Sequence, residues 1–450
     1  MSKLNCKKNP QPEIVLQNSW NCIPPKSKFY TTCGDEVVVL FPGRWNFEEG
    51  PDFISAKVSI GNNILTGDIE IHRFPGDWVR HGHYNDEHYN NVVLHVVGAP
   101  DKCNLLKNNK IPAIPTIILP DKFIRLPVHD KTVIYPHGYC ASKFSNFSDE
   151  TLSSFFEDAG EKRFFEKTLM ITHDILKDGV ENTFLKYFFD SCGYKKNRLE
   201  FVELFNRFVE YDIDTFTAQD AVAVLWGESG LLPDPSMLSL SAEMKMFVVN
   251  IWRDWWKIRK GEKDNIAWHL SGVRPLNNPY RRLAAISVFI SKFGTRPFFI
   301  ILEEFCNASD ISDVWKKFKK LIVCEDSLWD RYSEPSHVLN KRAAVLGEAR
   351  GLDIMVNVIL PFIYAYSDIN SLDKIKENAL SAWKCLPACQ SNLVLKVCSH
   401  RWLIPHERAI VVFNSSAAQQ GAIFVHKKFC ELGQMNCNKC PIYGLLNKQY

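Results

Sequence analysis

Five of the thirteen histidines fall between His72 and His95, interleaved with Asp68, Glu70, Asp77 and Asp86. Imidazole and carboxylate groups hold divalent metals and move protons near neutral pH, so chemistry is sought here first. In residues 67–73 (GDIEIHR), Asp68, Glu70 and His72 stand at i, i+2 and i+4. Side chains alternate along a strand, so these three project from one face while Ile69 and Ile71 face a core. Asp52, at the start of the preceding β-rich run, would lie beside that acidic face across a hairpin. Carboxylates converging from neighbouring strands make a hard oxygen site of the kind Mg²⁺ or Mn²⁺ uses. The same alternation also describes the solvent face of an amphipathic strand. His81 and His83, with Asp86 and His72 near them, form a second candidate set, in which nitrogen ligands would hold zinc or manganese. The alternative there is a polar loop whose imidazoles bond to carbonyls. His95, inside VVLHVV, reads as a core histidine with its hydrogen bonds satisfied.

Two other groups carry candidate chemistry. Cys430, Cys437 and Cys440 lie near the C-terminus in a C-x6-C-x2-C spacing, with His426 four residues before the first. Together the four would make a closed site suited to structural zinc, with Cys385 and Cys389 as rival sources of a fourth ligand. Ordinary reduced thiols are the plain alternative. Arg274, Arg281 and Arg282 surround an Asn-Pro turn at a helix start, where a planar guanidinium could meet phosphate or, equally, a buried carboxylate. Lys195, Lys196 and Arg198 form another basic cluster, and Lys316, Lys317, Lys319 and Lys320 a third. Such runs can track phosphates, and are more often solvated helix faces. Trp252, Trp255 and Trp256 sit at helical spacing and are expected in a core.

These residues need elements to position them. Before residue 135, β-rich runs at 35–41, 52–60, 64–72, 90–98 and 114–119 alternate with turn signals. Gly61-Asn62-Asn63 reads as a tight hairpin connection. From Ser148-Asp149-Glu150 onward the apolar spacing turns helical. Further helices are predicted at 199–211, 215–227, 238–260, 279–293, 298–306, 311–322 and 340–350. Others follow at 352–366, 371–385, 389–402 and 413–432. The predicted organisation is a mixed-sheet domain over 1–135, a proline-containing linker within 120–150, and a helical domain over 150–450.

A chain of 450 residues suggests about two to four domains, and 46% apolar with 23% charged residues excludes extended disorder. The apolar run at 354–366 is shorter than the roughly 20 residues of a bilayer span. The N-terminus has no apolar signal-peptide region. A soluble cytoplasmic protein with no membrane association is therefore expected, its 14 cysteines reduced. A net charge of +3 offers no bulk attraction for nucleic acid, so such binding would need a local patch. No Walker A motif or dinucleotide fingerprint is present, which argues against a self-contained ATPase or a Rossmann oxidoreductase.

The order of features is a strand with GPDF, a hairpin, a strand with Glu-x-His, a polar segment and the apolar run VVLHVV. It resembles the core of the PD-(D/E)xK nucleases. That resemblance implies Asp52 and Glu70 as holders of Mg²⁺ or Mn²⁺, with His72 in the place of the water-orienting lysine. The histidine is a departure, because a neutral imidazole supplies no fixed positive charge. The C-terminal cysteines resemble, with different spacing, the iron–sulfur staple of some nucleases in that superfamily, so an Fe–S cluster stands beside zinc. Over nearly the whole chain, from about residue 20 on, GRWNFEEGPDF, GDIEIHRFPGDWVRHGHYNDEHYNNVVLHVV, CGYKKNR, LWGESGLLP, RPLNNPYRRLAA and FCELGQMNCNKCPI are similar to a bacterial family of domain-of-unknown-function proteins.

The expected fold is thus α+β: a restriction-endonuclease-like mixed β-sheet domain, then a large all-α domain ending in a cysteine cluster. The expected function is a divalent-metal-dependent nuclease acting on DNA or RNA, with Asp52, Glu70 and His72 catalytic. One alternative is a non-catalytic nucleic-acid or protein-binding module on the same scaffold. The other is a zinc or manganese hydrolase built from His72, His81, His83 and Asp86.

Overall fold

The computed structural model describes residues 11–46, 50–100, 114–124, 140–194, 196–236, 240–261, 263–270, 273–308, 310–403 and 407–431. Its architecture is α+β, a β-sheet unit followed by a large helical one. Two compact units divide the chain. One combines residues up to 148 with 393–409 and 425 onward, and the other combines 149–392 with 410–424.

The first unit opens with α1 (Glu13–Asn21), followed by β1 (Ser27–Tyr30), β2 (Glu36–Phe41), β3 (Arg44–Trp45), β4 (Phe53–Ile60) and β5 (Asn63–His72). After a short helix α2 (Asp77–Arg80) come β6 (Val92–Val97) and β7 (Thr116–Ile118). Among the described residues these strands form one sheet in the order β1-β2-β4-β5-β6-β7, with β3 paired to β4. Pairing is antiparallel as far as β5 and parallel from β5 to β7. Alternation explains the core. Val37, Val39, Val58, Ile69, Ile71, Leu94, Val96 and Ile117 share one apolar cluster with Leu16 and Trp20 of α1. The Trp20 indole N–H also donates to the Pro42 carbonyl at 3.0 Å.

Local chemistry sets the register of β4 and β5. Ile60 pairs with Asn63, so the hairpin turns on Gly61 and Asn62, with Gly61 at φ 55°. Nearer the site the ladder slips between Phe53 and Ala56, where Ser55 takes φ 58°. The Ser55 N–H, turned out of the ladder by this bulge, donates to Asp68 Oδ1 at 2.9 Å. A polar partner for the freed amide lets a non-glycine residue hold this conformation.

The second unit packs helices from Asp149–Asp178 through Asp373–Lys384, with Ser416–Val425 returned against the first of them. Where Asp149–Asp178 and Ser416–Val425 cross, a Cβ on Gly421 would overlap the Phe156 carbonyl, and one on Gly160 the Ala417 carbonyl. Glu348–Ile369 is long and apolar enough by composition to cross a bilayer, yet 67% of its apolar window is buried inside the protein. Its middle, Met355–Ile359, is π-helical and leads directly into Pro361. The widened turn accommodates a proline ring that would otherwise clash with the carbonyl four residues back.

Several expectations need correction. Val180–Cys192 forms a separate helix, which is not among those predicted from the apolar spacing. The helix predicted at 340–350 starts only at Glu348, because carbonyls at 343–345 are consumed by arginine side chains. Trp256 is exposed rather than core, with the Arg259 guanidinium over its ring at 4.1 Å.

Candidate functional site

The histidine-rich segment closes onto the C-terminal end of β5. Glu70 and His72 leave the strand on the face opposite Ile69 and Ile71, as period-2 geometry requires. The parallel partner β6 sets His95 opposite Glu70. Beyond β5, the Asp77 carboxylate accepts the Phe74 N–H at 2.8 Å and pairs with Arg80, which shapes the turn into α2. Gly82 then takes φ 78°, a left-handed turn that brings His81 and His83 back toward His72. Tyr89 stacks on the His83 ring at a centroid distance of 3.8 Å.

Distances define the centre. Glu70 Oε1 lies 3.2 Å from His72 Nε2 and 3.3 Å from His83 Nε2, and these two nitrogens are 3.3 Å apart. The donor atoms of His72, His81 and His83 lie within 4.8 Å of one another. Behind them, His72 Nδ1 meets His95 Nε2 at 2.9 Å. Burial is deep, with Glu70 5%, His72 0% and His95 4% exposed. His81 sits at the exposed rim.

Burial governs the electrostatics. It pushes the Glu70 carboxyl up to about 8, with the Glu13 charge adding to the effect against a hydrogen bond from the Asp52 amide. Burial also drives Asp52 well above its usual range, assisted by the negative charge of Glu70. The imidazoles move the other way. Burial, then neighbouring histidines, hold His72 down to about 2, and burial holds His95 down to about 4. His83 is lowered by the same desolvation. Neutral imidazoles keep the lone pair with which they ligate metals.

The structure sorts the sequence candidates. Asp52 and Glu70 are brought together, for the Asp52 N–H donates to Glu70 Oε2 at 3.0 Å. Asp52 itself accepts from Gln17 Nε2 at 2.7 Å and from the Ile71 N–H at 3.0 Å, tying α1 to β5. Asp68 does not join the cluster. Its oxygens serve Ser55 and Asn91, the latter at 3.0 Å. Asp86 turns instead to His88, whose amide and ring lie 3.0 and 2.6 Å from Oδ1. Sequence reasoning missed three participants. Glu13 stands 3.9 Å from His72 Nε2, Gln17 holds Asp52, and His95 is bonded into the centre rather than being an isolated core residue.

The arginine expectation fails for two of its three residues. Arg281 is fully buried and donates to the carbonyls of Trp329, Tyr332, Ala343 and Ala344. Arg282 is buried too, and donates to the Val345 carbonyl and to Asn277. Neither has a face for phosphate, whereas Arg274 is exposed. Lys316, Lys317 and Lys319 pair with Asp313, Glu304 and Glu348 at 2.7, 2.9 and 2.6 Å, and Arg198 pairs with Asp190. Lys195, Cys437 and Cys440 lie outside the described residues. His426 is buried, its ring 6.3 Å from that of Trp402, and Cys430 follows on the same π-helical turn. Cys389, the rival ligand, packs its sulfur 3.4 Å from Ser416 Oγ, and burial pushes the thiol up to about 12.

A family model described as a protein of unknown function, DUF2851, matches residues 13–392. The chain belongs to that family. No curated protein and no solved structure matches it. The family match begins at Glu13 and takes in every member of the histidine–carboxylate centre. It stops short of His426 and the three C-terminal cysteines.

Proposed function

We propose that the N-terminal unit is a divalent-metal-dependent hydrolase of phosphodiester bonds in nucleic acid. The observation that carries this reading is the triangle of Glu70 Oε1, His72 Nε2 and His83 Nε2, with sides of 3.2–3.3 Å. Three lone-pair atoms converging at that spacing in a buried cleft are satisfied together by one cation. The phosphodiester class is supported by the placing of the acids. Asp52 precedes β4, Glu70 and His72 end β5, and a parallel β6 follows, the order that resembles a restriction-endonuclease core. A bound divalent ion supplies Lewis-acid polarisation of a phosphoryl oxygen and makes water more acidic. In this chain Glu70, His72 and His83 would hold the ion, Asp52 would position Glu70 through its amide, and Glu13 would stand beside His72.

The direct test is cleavage of plasmid DNA, single-stranded DNA and RNA by the full chain in Mg²⁺, Mn²⁺ or Zn²⁺. Cleavage that Glu70→Gln removes is the expected result, since the amide keeps the shape and loses the charge. Binding without cleavage under every metal would favour a non-catalytic module instead.

A further inference from the structure

We infer that this centre is a nitrogen-rich transition-metal site of the zinc class. Glu70, His72 and His83 are its fixed ligands, His81 closes it, and His95 is the outer partner that orients His72. The inference shares with the proposed function the premise that a cation sits here, but needs no turnover.

Donor chemistry comes first. Three imidazoles and one carboxylate suit zinc and its first-row neighbours, whereas Mg²⁺ prefers oxygen ligands and retains water. Spacing agrees. Ligands about 2.0–2.1 Å from a tetrahedral zinc stand about 3.3–3.4 Å apart along each edge. Adjacent ligands of an octahedral Mg²⁺ at about 2.0–2.1 Å would be only about 2.8–3.0 Å apart. The three observed sides, 3.2, 3.3 and 3.3 Å, lie with the tetrahedron.

The outer contacts follow from hydrogen-bond logic. If His72 Nε2 offers its lone pair inward, its proton is on Nδ1. That N–H then donates to His95 Nε2 at 2.9 Å, which fixes both the tautomer and the ring plane. His83 is steadied by the Tyr89 ring stacked on it. His81 is the adjustable member. Its donor atom lies within 4.8 Å of those of His72 and His83, and it sits at the exposed rim beside Gly82. As a ligand it would complete a fourth corner from the turn, leaving the strands where they are.

The test uses the full chain purified without chelator. Elemental analysis should find about one zinc-class ion per chain. After chelation, micromolar Zn²⁺ should raise the melting temperature while millimolar Mg²⁺ should not. His81→Ala removes only an exposed ring, so the variant should fold as wild type and lose at least about tenfold in Zn²⁺ affinity. His95→Phe keeps a ring in the same place but removes the acceptor toward His72, and an affinity loss on the order of 10–100-fold is expected. Zinc retention with no cleavage of nucleic acid would leave the inference standing and end the phosphodiesterase reading. Cleavage supported by Mg²⁺ with no Zn²⁺ affinity would do the reverse. Unchanged Zn²⁺ affinity in His81→Ala would remove His81 from the ligand set and overturn the four-cornered site.

Discussion

Both units bury polar groups that proteins ordinarily leave in water, and they resolve the problem in opposite ways. In the helical unit, Arg281 sits at 0% exposure and its guanidinium donates to four backbone carbonyls. Donor meets acceptor at both terminal nitrogens, with the Nε–H left without a partner. In the sheet unit, Glu70, His72 and His83 turn acceptor-bearing atoms toward one another. Burial alone therefore does not separate framework from function. On the proposed reading the kind of convergence does: donors on acceptors finish a structure, while three atoms that can each present a lone pair would be satisfied by a cation.

The contrast is broken most forcefully at the arginine. Arg281→Met keeps the apolar stem and leaves four carbonyls without that donor. A loss of about 3–5 kcal/mol is expected in urea denaturation, because a buried acceptor left without its hydrogen bond costs about 1–3 kcal/mol. Metal content per folded chain should not change. An equal loss of bound metal would mean that the two regions are not independent.

A pH series in chelator addresses the acceptor cluster. Glu70 is raised from 4.5 to about 8, so its contribution is present below 4.5 and lost as pH rises through about 8. His72 is lowered from 6.5, so its contribution is present above 6.5 and lost as pH falls below that value. The two oppose one another between 4.5 and 6.5. The urea midpoint should therefore decline toward alkaline pH as well as toward acid. Added Zn²⁺ should remove the alkaline decline, because the ion takes the place of the proton on Glu70. A midpoint that rises steadily through pH 8 in chelator would contradict the burial of an uncompensated Glu70.

The smallest effect is expected at Asp86, the acid that sequence grouped with the histidines. It is exposed and bonded to His88. Asp86→Ala should leave the urea midpoint and Zn²⁺ affinity essentially unchanged. A large affinity loss would return Asp86 to the centre.

Much of this site was legible in the sequence because strand geometry has a period of two. Asp68, Glu70 and His72 were placed on one face, with Ile69 and Ile71 opposite, from spacing alone. Alternation could not say which of the three acts. Asp68 is spent on the Ser55 bulge, a consequence of a register slip that no local pattern encodes. His95 was hidden by its context, since a parallel strand within a sheet reads as a continuous apolar run whatever its one polar member does. Glu13 and Gln17 were invisible for another reason. Their helix EIVLQNSWN is short, and its approach to β5 is tertiary. In the helical unit, Val180–Cys192 was lost because only Gly179, at φ 80°, separates it from the 30-residue helix before it. The predicted 340–350 helix failed because its carbonyls belong to arginines some 60 positions away in sequence.

The placement of β5 has a mechanical consequence. The strand is laddered on both sides, to β4 and to β6, and Glu70 and His72 issue from it while His95 backs them from the neighbouring strand. The centre thus resembles a vice with one jaw fixed to the sheet and the other, His81, carried at the turn beside Gly82. If the proposed ion is held there, ions of different radius would be gripped by moving the second jaw. Exchanging one metal for another should then be written in the chemical environment of residues 77–89, and hardly at all in the strand beneath them.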